Sequence, residues 1–273
     1  MEKKKKEPPM VAILWKNRKL AMTLAKDDFK KKFAGSYLGI IWAFVQPVIT
    51  ILVYWFIFEV IGKSGETMKI PFVLYLVVGI IPWFFFSDSL ASGTMCLIEY
   101  AFLVKKVVFR IDILPLVKIL SAMFVHMFFI AFSMILLCFY GIYPGPQAIQ
   151  VVYYVFCTLV LVLAILYTTS AITVFFRDLS QIIAIFVLQV GIWLTPIMWD
   201  AEARLAAHPT IIKVLKLNPM YYVVSGFRDA LLYKKWVWEK PFWTLYFWGV
   251  TLILFLIGVG IFRKLRVHFA DVL

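Results

Sequence analysis

Charge is the scarcest property of this sequence. Only 16% of its 273 residues are Asp, Glu, Lys or Arg, against roughly a quarter in an ordinary soluble domain. That alone excludes a soluble enzyme of one or two domains. Acidic side chains are scarcer than basic ones, 15 against 28, which leaves a net charge of +13. The basic residues flank apolar blocks, so topology and anionic headgroups explain them better than nucleic acid does. The three cysteines, Cys96, Cys138 and Cys157, form no CxxC pair and sit in or beside apolar segments. They read as small apolar fillers and not as a disulfide framework or a metal site.

Catalytic chemistry is also missing. A nucleotide-hydrolysing loop ends in Gly-Lys-Ser/Thr and carries a second glycine upstream. The nearest match is Gly62-Lys63-Ser64-Gly65, but Ile57 stands where that glycine belongs, so it reads as a turn and the chain does not hydrolyse ATP by itself. Metal-dependent transfer needs clustered carboxylates. The one adjacent pair, Asp27-Asp28, lies in a Lys-rich stretch and reads as a solvated face. His126, His208 and His268 lie on separate segments. His126 falls mid-span, where polar groups are often functional, although an interhelical hydrogen bond is the readier explanation. With Glu59 and Asp88 it makes a thin relay, and no repeat relates the two halves. Both points weaken an ion-coupled secondary transporter.

Apolar residues fill the space. They make up 63% of the chain, and mean hydropathy is +0.91. They fall in blocks of the length that crosses roughly 30 Å of hydrocarbon. Six helical spans are predicted, over 36–61, 70–95, 115–140, 148–176, 179–199 and 242–262. The blocks lack barrel-strand alternation, and in lipid the remaining way to satisfy the backbone is helical. Six spans put both termini on one side. That side carries 19 Lys/Arg, counting the N-terminal arm, the 96–114 loop with Lys118, Arg177 and the tail, against 9 on the other. The bias predicts cytoplasmic termini. Residues 1–32 hold eleven Lys/Arg, four acids and no long apolar run, which is not the pattern of a cleavable signal.

Two further segments have character. Within the 1–35 arm, Val11, Leu14, Trp15, Met22, Ala25, Phe29 and Phe33 recur at spacings near 3 and 4 among lysines. That pattern predicts an amphipathic helix in the cytoplasmic interface, an anchor and a place to gather a phosphate-bearing headgroup. The external segment 200–241 is too apolar for a solvated loop. Pro209 and Asn218-Pro219 would divide it into short helices re-entering the outer leaflet. Loop 96–114 mixes apolar and charged residues and suits either a short helix that docks a cytosolic partner or a positive-inside anchor.

Several runs make the chain recognisable. Tyr37-Leu38-Gly39-Ile40-Ile41-Trp42-Ala43-Phe44-Val45-Gln46-Pro47 resembles the first-span signature of ABC-2 type permeases that export polysaccharides and polyol phosphates. Gly79-Ile80-Ile81-Pro82-Trp83-Phe84-Phe85-Phe86, Phe176-Arg177-Asp178-Leu179, Thr195-Pro196-Ile197-Met198-Trp199, Leu217-Asn218-Pro219-Met220-Tyr221-Tyr222 and Gly226-Phe227-Arg228-Asp229 follow in family order. Within the family the chain looks most like teichoic acid exporters, with O-antigen and capsule exporters or an ABC-2 small-molecule exporter as alternatives. The resemblance implies an all-α transmembrane domain over 36–273. It also implies a homodimer, two separate cytosolic ATPase subunits that carry the ATP and Mg, and a polyprenyl-diphosphate-linked polymer moved across a bacterial cytoplasmic membrane. No cofactor is expected on this chain. By position, Lys105, Lys106, Arg110 and Asp112 would meet the ATPase. Arg18, Lys30 and Lys31 would gather the headgroup. Trp42, Tyr54, Trp83, Phe84 and Arg228 would line the path or its exit.

Overall fold

A computed structural model describes residues 8–62, 70–105 and 110–273. Lys106 and most of the Gly62-Lys63-Ser64-Gly65 turn lie outside the described residues. Among those described there are helices and turns and no strand.

The arm is two helices, α1 (Met10–Lys16) and α2 (Arg18–Lys32), where one was predicted. They part at Asn17, whose side-chain amide donates to the Ile13 carbonyl at 2.8 Å. The buried face matches the expected apolar stripe only in part. Trp15 and Met22 are exposed, whereas Ala21 and Ala25 are sealed against Val117. Small side chains win that face because they let two helices approach closely.

Among the described residues five helical runs are long and apolar enough to cross a membrane: Gly39–Ile61, Phe72–Thr94, Ile111–Phe139, Pro146–Thr173 and Pro241–Val272. They contain α3 (Trp42–Trp55, continued by wider turns over Phe56–Ile61) and α4 (Phe72–Thr94). Two short helices follow α4, α5 (Cys96–Glu99) and α6 (Ala101–Val104). Then come α7 (Leu114–Phe139) and α8 (Gln150–Thr173). The span expected at 179–199 is shorter than predicted. There α9 (Leu179–Ile183), a wide-turn run (Ala184–Val190) and α10 (Gly191–Leu194) make sixteen helical residues. At about 1.5 Å each these reach about 24 Å, short of roughly 30 Å of hydrocarbon. The helix stops where it does because Pro196 follows. The residue before a proline is pushed out of the helical region, and Thr195 is extended at φ −102°, ψ 106°.

Beyond it, α11 (Ala201–Arg204), α12 (Pro209–Lys216) and α13 (Pro219–Arg228) begin where the turn residues require. Asp200 caps the first by accepting from the Glu202 and Ala203 amides, and Asn218 caps the third by accepting from Met220. Wide turns over Asp229–Tyr233 then lead to α14 (Pro241–Leu265) and α15 (Phe269–Val272).

The central helix is α4, 83% buried along its most apolar stretch, with α7, α8 and α13 around it. By contrast α3 is 11% buried on the same measure. Helices α8 and α14 pack against each other along much of their length. A Cβ built on Gly258 would stand 2.6 Å from the Ala164 carbonyl oxygen, an obstacle of backbone that no rotamer change removes. Gly258→Ala should therefore push the two helices apart and cost about 1–3 kcal/mol, in line with other overpacked cores. A lower thermal midpoint of the detergent-solubilised chain would register it, and an unchanged midpoint would contradict it.

Candidate functional site

One end of the bundle, called here the basic end, gathers α2, α5, α6 and the start of α7. On α2, Asp28 is buried, and the Lys118 ammonium of α7 donates to it at 2.6 Å. Lys118 also donates to Glu99 of α5 at 2.6 Å, and the Tyr100 hydroxyl donates to Asp28 at 2.8 Å. Burial, and next the Asp28 carboxylate, push the Tyr100 phenol well above its ordinary range, so it remains a donor. These four side chains tie the arm, the 96–105 segment and a spanning helix into one network. Asp28 is thus no solvated residue. A cavity of about 370 Å³ opens beside the network, with Lys31, Lys32 and Ser92 on its wall.

Deeper between α3, α4 and α7 lies a second cavity, of about 290 Å³. The two share Lys32 and Asp88 on their linings, and these residues form an ion pair at 2.5 Å. Trp42, Gln46, Phe84 and His126 line the deeper cavity. His126 stacks on Phe85 at 4.5 Å with an interplanar angle of 12°, and both of its ring nitrogens are buried without a partner. The interhelical hydrogen bond expected of it does not form.

At the opposite end Arg228 is buried and fully used. It donates to the carbonyls of Pro196 (2.9 Å), Ile197 (2.6 Å) and Tyr75 (3.4 Å), and lies 3.5 Å over the Tyr75 ring. Burial pulls its pKa down, but a guanidinium starts high enough to stay charged. Nearby, Lys240 pairs with Asp229, and the Gln150 amide ties the Lys235 carbonyl to the Val237 amide. Lys216 donates to Glu202 at 2.8 Å and holds its carboxyl below the ordinary range.

The sequence-predicted residues divide accordingly. Lys105 and Arg110 are exposed at the basic end. Asp112, expected to meet a partner, is buried instead. It accepts from the Arg266 guanidinium at 3.0 and 3.3 Å, and its backbone carbonyl accepts from Tyr167 at 3.1 Å. Lys30 and Lys31 are exposed in the last turn of α2, while Arg18 is in its first turn. Arg18 stacks on Trp15 at 4.8 Å beside an apolar groove against α8 and α14, so the three do not form one cluster. Trp42 and Phe84 share a cavity, Tyr54 is half-buried away from it, and Trp83 is packed in the core. Arg228 clamps backbone on the wall of a cavity of about 260 Å³ that Asp200, Glu202, Lys235 and Lys240 also line. Sequence reasoning misread Asp28 as solvated and gave Glu99 and Tyr100 no role of their own, because their partners lie on other segments of the chain.

Among the described residues no three His, Cys, Asp or Glu side chains are placed to hold a metal ion. The fold defines a multi-pass helical membrane protein whose polar features are networks and cavities. It belongs to the ABC-2 type transporter family, whose profile matches residues 19–232. The chain is 27% identical over 269 residues to the O-antigen export system permease protein RfbA of Myxococcus xanthus, covering 96% of this chain and 98% of that one. It is 25% identical over 261 residues to the protein of the same name from Klebsiella pneumoniae, covering 93% and 95%. Both relatives are named as permeases of O-antigen export systems.

Proposed function

We propose that this chain is the transmembrane permease of an ATP-driven exporter that moves a polyprenyl-diphosphate-linked polysaccharide across the bacterial cytoplasmic membrane. The observation that carries the reading is the near full-length likeness to two O-antigen export permeases. Those names favour an O-antigen-type glycan over the teichoic acid that the sequence motifs suggested. The nineteen-to-nine excess of Lys/Arg supports a cytoplasmic basic end. In this reading 179–199 completes a sixth crossing, its short helix extended by residues 195–199, and α12 and α13 re-enter the outer leaflet.

Two copies of the chain form the working unit. Helix α3 and the α9–α10 run are thinly covered, and the latter exposes an amide, Gln189. An amide turned to hydrocarbon is costly, so these faces meet a second copy or a wet path between copies. Two cytosolic ATPase subunits, which carry the ATP and Mg, dock against the 96–110 segment through Lys105 and Arg110. The lipid diphosphate first gathers at the exposed Lys30 and Lys31, on the same last turn of α2 as Lys32.

Affinity purification of the tagged chain from its native host tests this. A stoichiometric ATPase should co-purify and should be lost from Lys105→Glu/Arg110→Glu while the chain stays folded. A chain that purifies alone from every detergent, and transports under an ion gradient, would overturn the reading in favour of an ion-coupled transporter.

A further inference from the structure

The cavity between α3, α4 and α7 has a composition that a lipid-facing crevice lacks. Its walls are aromatic, with Trp42 and Phe84 on its lining, yet Gln46 and His126 also line it. His126 is 3% exposed, and neither ring nitrogen has a hydrogen-bond partner. A buried donor or acceptor left unmade costs on the order of 1–3 kcal/mol. An imidazole held flat on Phe85, with both nitrogens idle, is a group kept ready for something that enters. An acyl chain in that space would leave His126 and Gln46 facing hydrocarbon, the arrangement membrane interiors disfavour most. The cavity measures about 290 Å³, at the lower end of the ~300–1,000 Å³ usual for small-molecule sites, which suits one ring and no longer chain. Flat aromatic walls with a few convergent polar groups make a site for a hydroxylated ring.

The mouth supports the same occupant. Lys32 pairs with Asp88 where this cavity meets the neighbouring one, and Lys31 lies on the neighbouring wall. An anionic group arriving there competes with Asp88 for the Lys32 ammonium, and the released pair opens the way inward. We infer that this cavity binds the first sugar ring of a lipid diphosphate, with the diphosphate at Lys31 and Lys32 and the ring hydroxyls bonded by His126 and Gln46. The inference rests on the exporter reading and gives it a site that reads the sugar as well as the lipid.

The test uses the full chain in lipid nanodiscs and two probes, a polyprenyl diphosphate bearing one hexose and the same polyprenyl diphosphate bare. The hexose-bearing probe should bind about tenfold tighter, the worth of one or two well-made hydrogen bonds. His126→Phe keeps the stacking plane and removes the nitrogens, and Gln46→Leu removes the amide at an exposed position less liable to disturb folding. Each should cut the preference for the hexose to about twofold or less on the same scale. Equal binding of the two probes by the unaltered chain, or a preference that survives both substitutions, would overturn the sugar site and leave the exporter reading standing. Failure of both probes to bind would overturn the two together.

Discussion

Replacing Arg228 with leucine is expected to remove most of the folded chain from the membrane fraction and to lower the thermal midpoint of what remains by roughly 10 °C. The cause is the company Arg228 keeps. Its guanidinium donates to Pro196 and Ile197 at 2.9 and 2.6 Å, in the stretch where Pro196 has ended the helix and the carbonyls have lost their ladder partners. Longer bonds at 3.4 Å to the Tyr75 carbonyl, with the Tyr75 ring 3.5 Å below, fix the same side chain to α4. Thus one residue of α13 joins the bend after α10 to the central helix. A charged hydrogen bond contributes about 1.5–3 kcal/mol and a stranded buried acceptor costs more, so a loss of about 4 kcal/mol, large for one substitution, is the expected size. Arg228→Lys should rescue little, because an ammonium is a point donor and cannot span three acceptors as the planar fork does. Gly79→Ala tests the same clamp from the other side, since its Cβ would lie 2.5 Å from the Arg228 Nη2. A leucine variant that melts within about 2 °C of the unaltered chain would show the clamp to be dispensable.

Much of the architecture was legible because lipid imposes a simple code. The stretches 70–95, 115–140 and 242–262 correspond to α4 (Phe72–Thr94), α7 (Leu114–Phe139) and α14 (Pro241–Leu265). Pro209 and Asn218-Pro219 divide the 200–241 segment into helices as expected, since proline suits the first turn and asparagine its cap. At 179–199 hydropathy alone did not show where the helix ends, because an apolar stretch does not reveal that Pro196 will extend Thr195. Charged residues were the other failure. Asp28 and Asp112 looked exposed because composition prices every carboxylate as solvated. Their partners Lys118 and Arg266 stand 90 and 154 residues away, so only the packed helices disclose the pairing. His126 was recognisable as an oddity from its place in the apolar run, but not that it would end without any partner. Trp83 and Phe84, adjacent in sequence, diverge completely, one into the core and one onto a cavity wall, because neighbours on a helix point in directions about 100° apart.

The Asp28, Lys118 and Glu99 network carries the second large effect. Lys118→Met leaves Asp28, whose side chain is 9% exposed, with the Tyr100 hydroxyl and no cation. Breaking a buried pair on one side costs about 3–5 kcal/mol, and the larger part of that should appear here. Asp28→Asn should cost less, because Lys118 keeps Glu99 at 2.6 Å. Removing both charges, in Asp28→Asn/Lys118→Met, should then be milder than Lys118→Met alone, with a coupling of about 1–3 kcal/mol. Chemical or thermal unfolding of the solubilised chain measures the cycle, and additivity within about 0.5 kcal/mol would mean the two residues act independently. Function adds a sharper discriminator. In the exporter reading Glu99 and Tyr100 open the segment that ends at the docking residues Lys105 and Arg110, and Asp28 belongs to the helix that meets the lipid headgroup. Lys118 and the Tyr100 hydroxyl both join the two, and Lys118 is the link that carries charge. The double variant regains stability without regaining that link, so it should fold, retain its ATPase partner and still export poorly. Full export by the stable double variant would reduce the network to a structural tie.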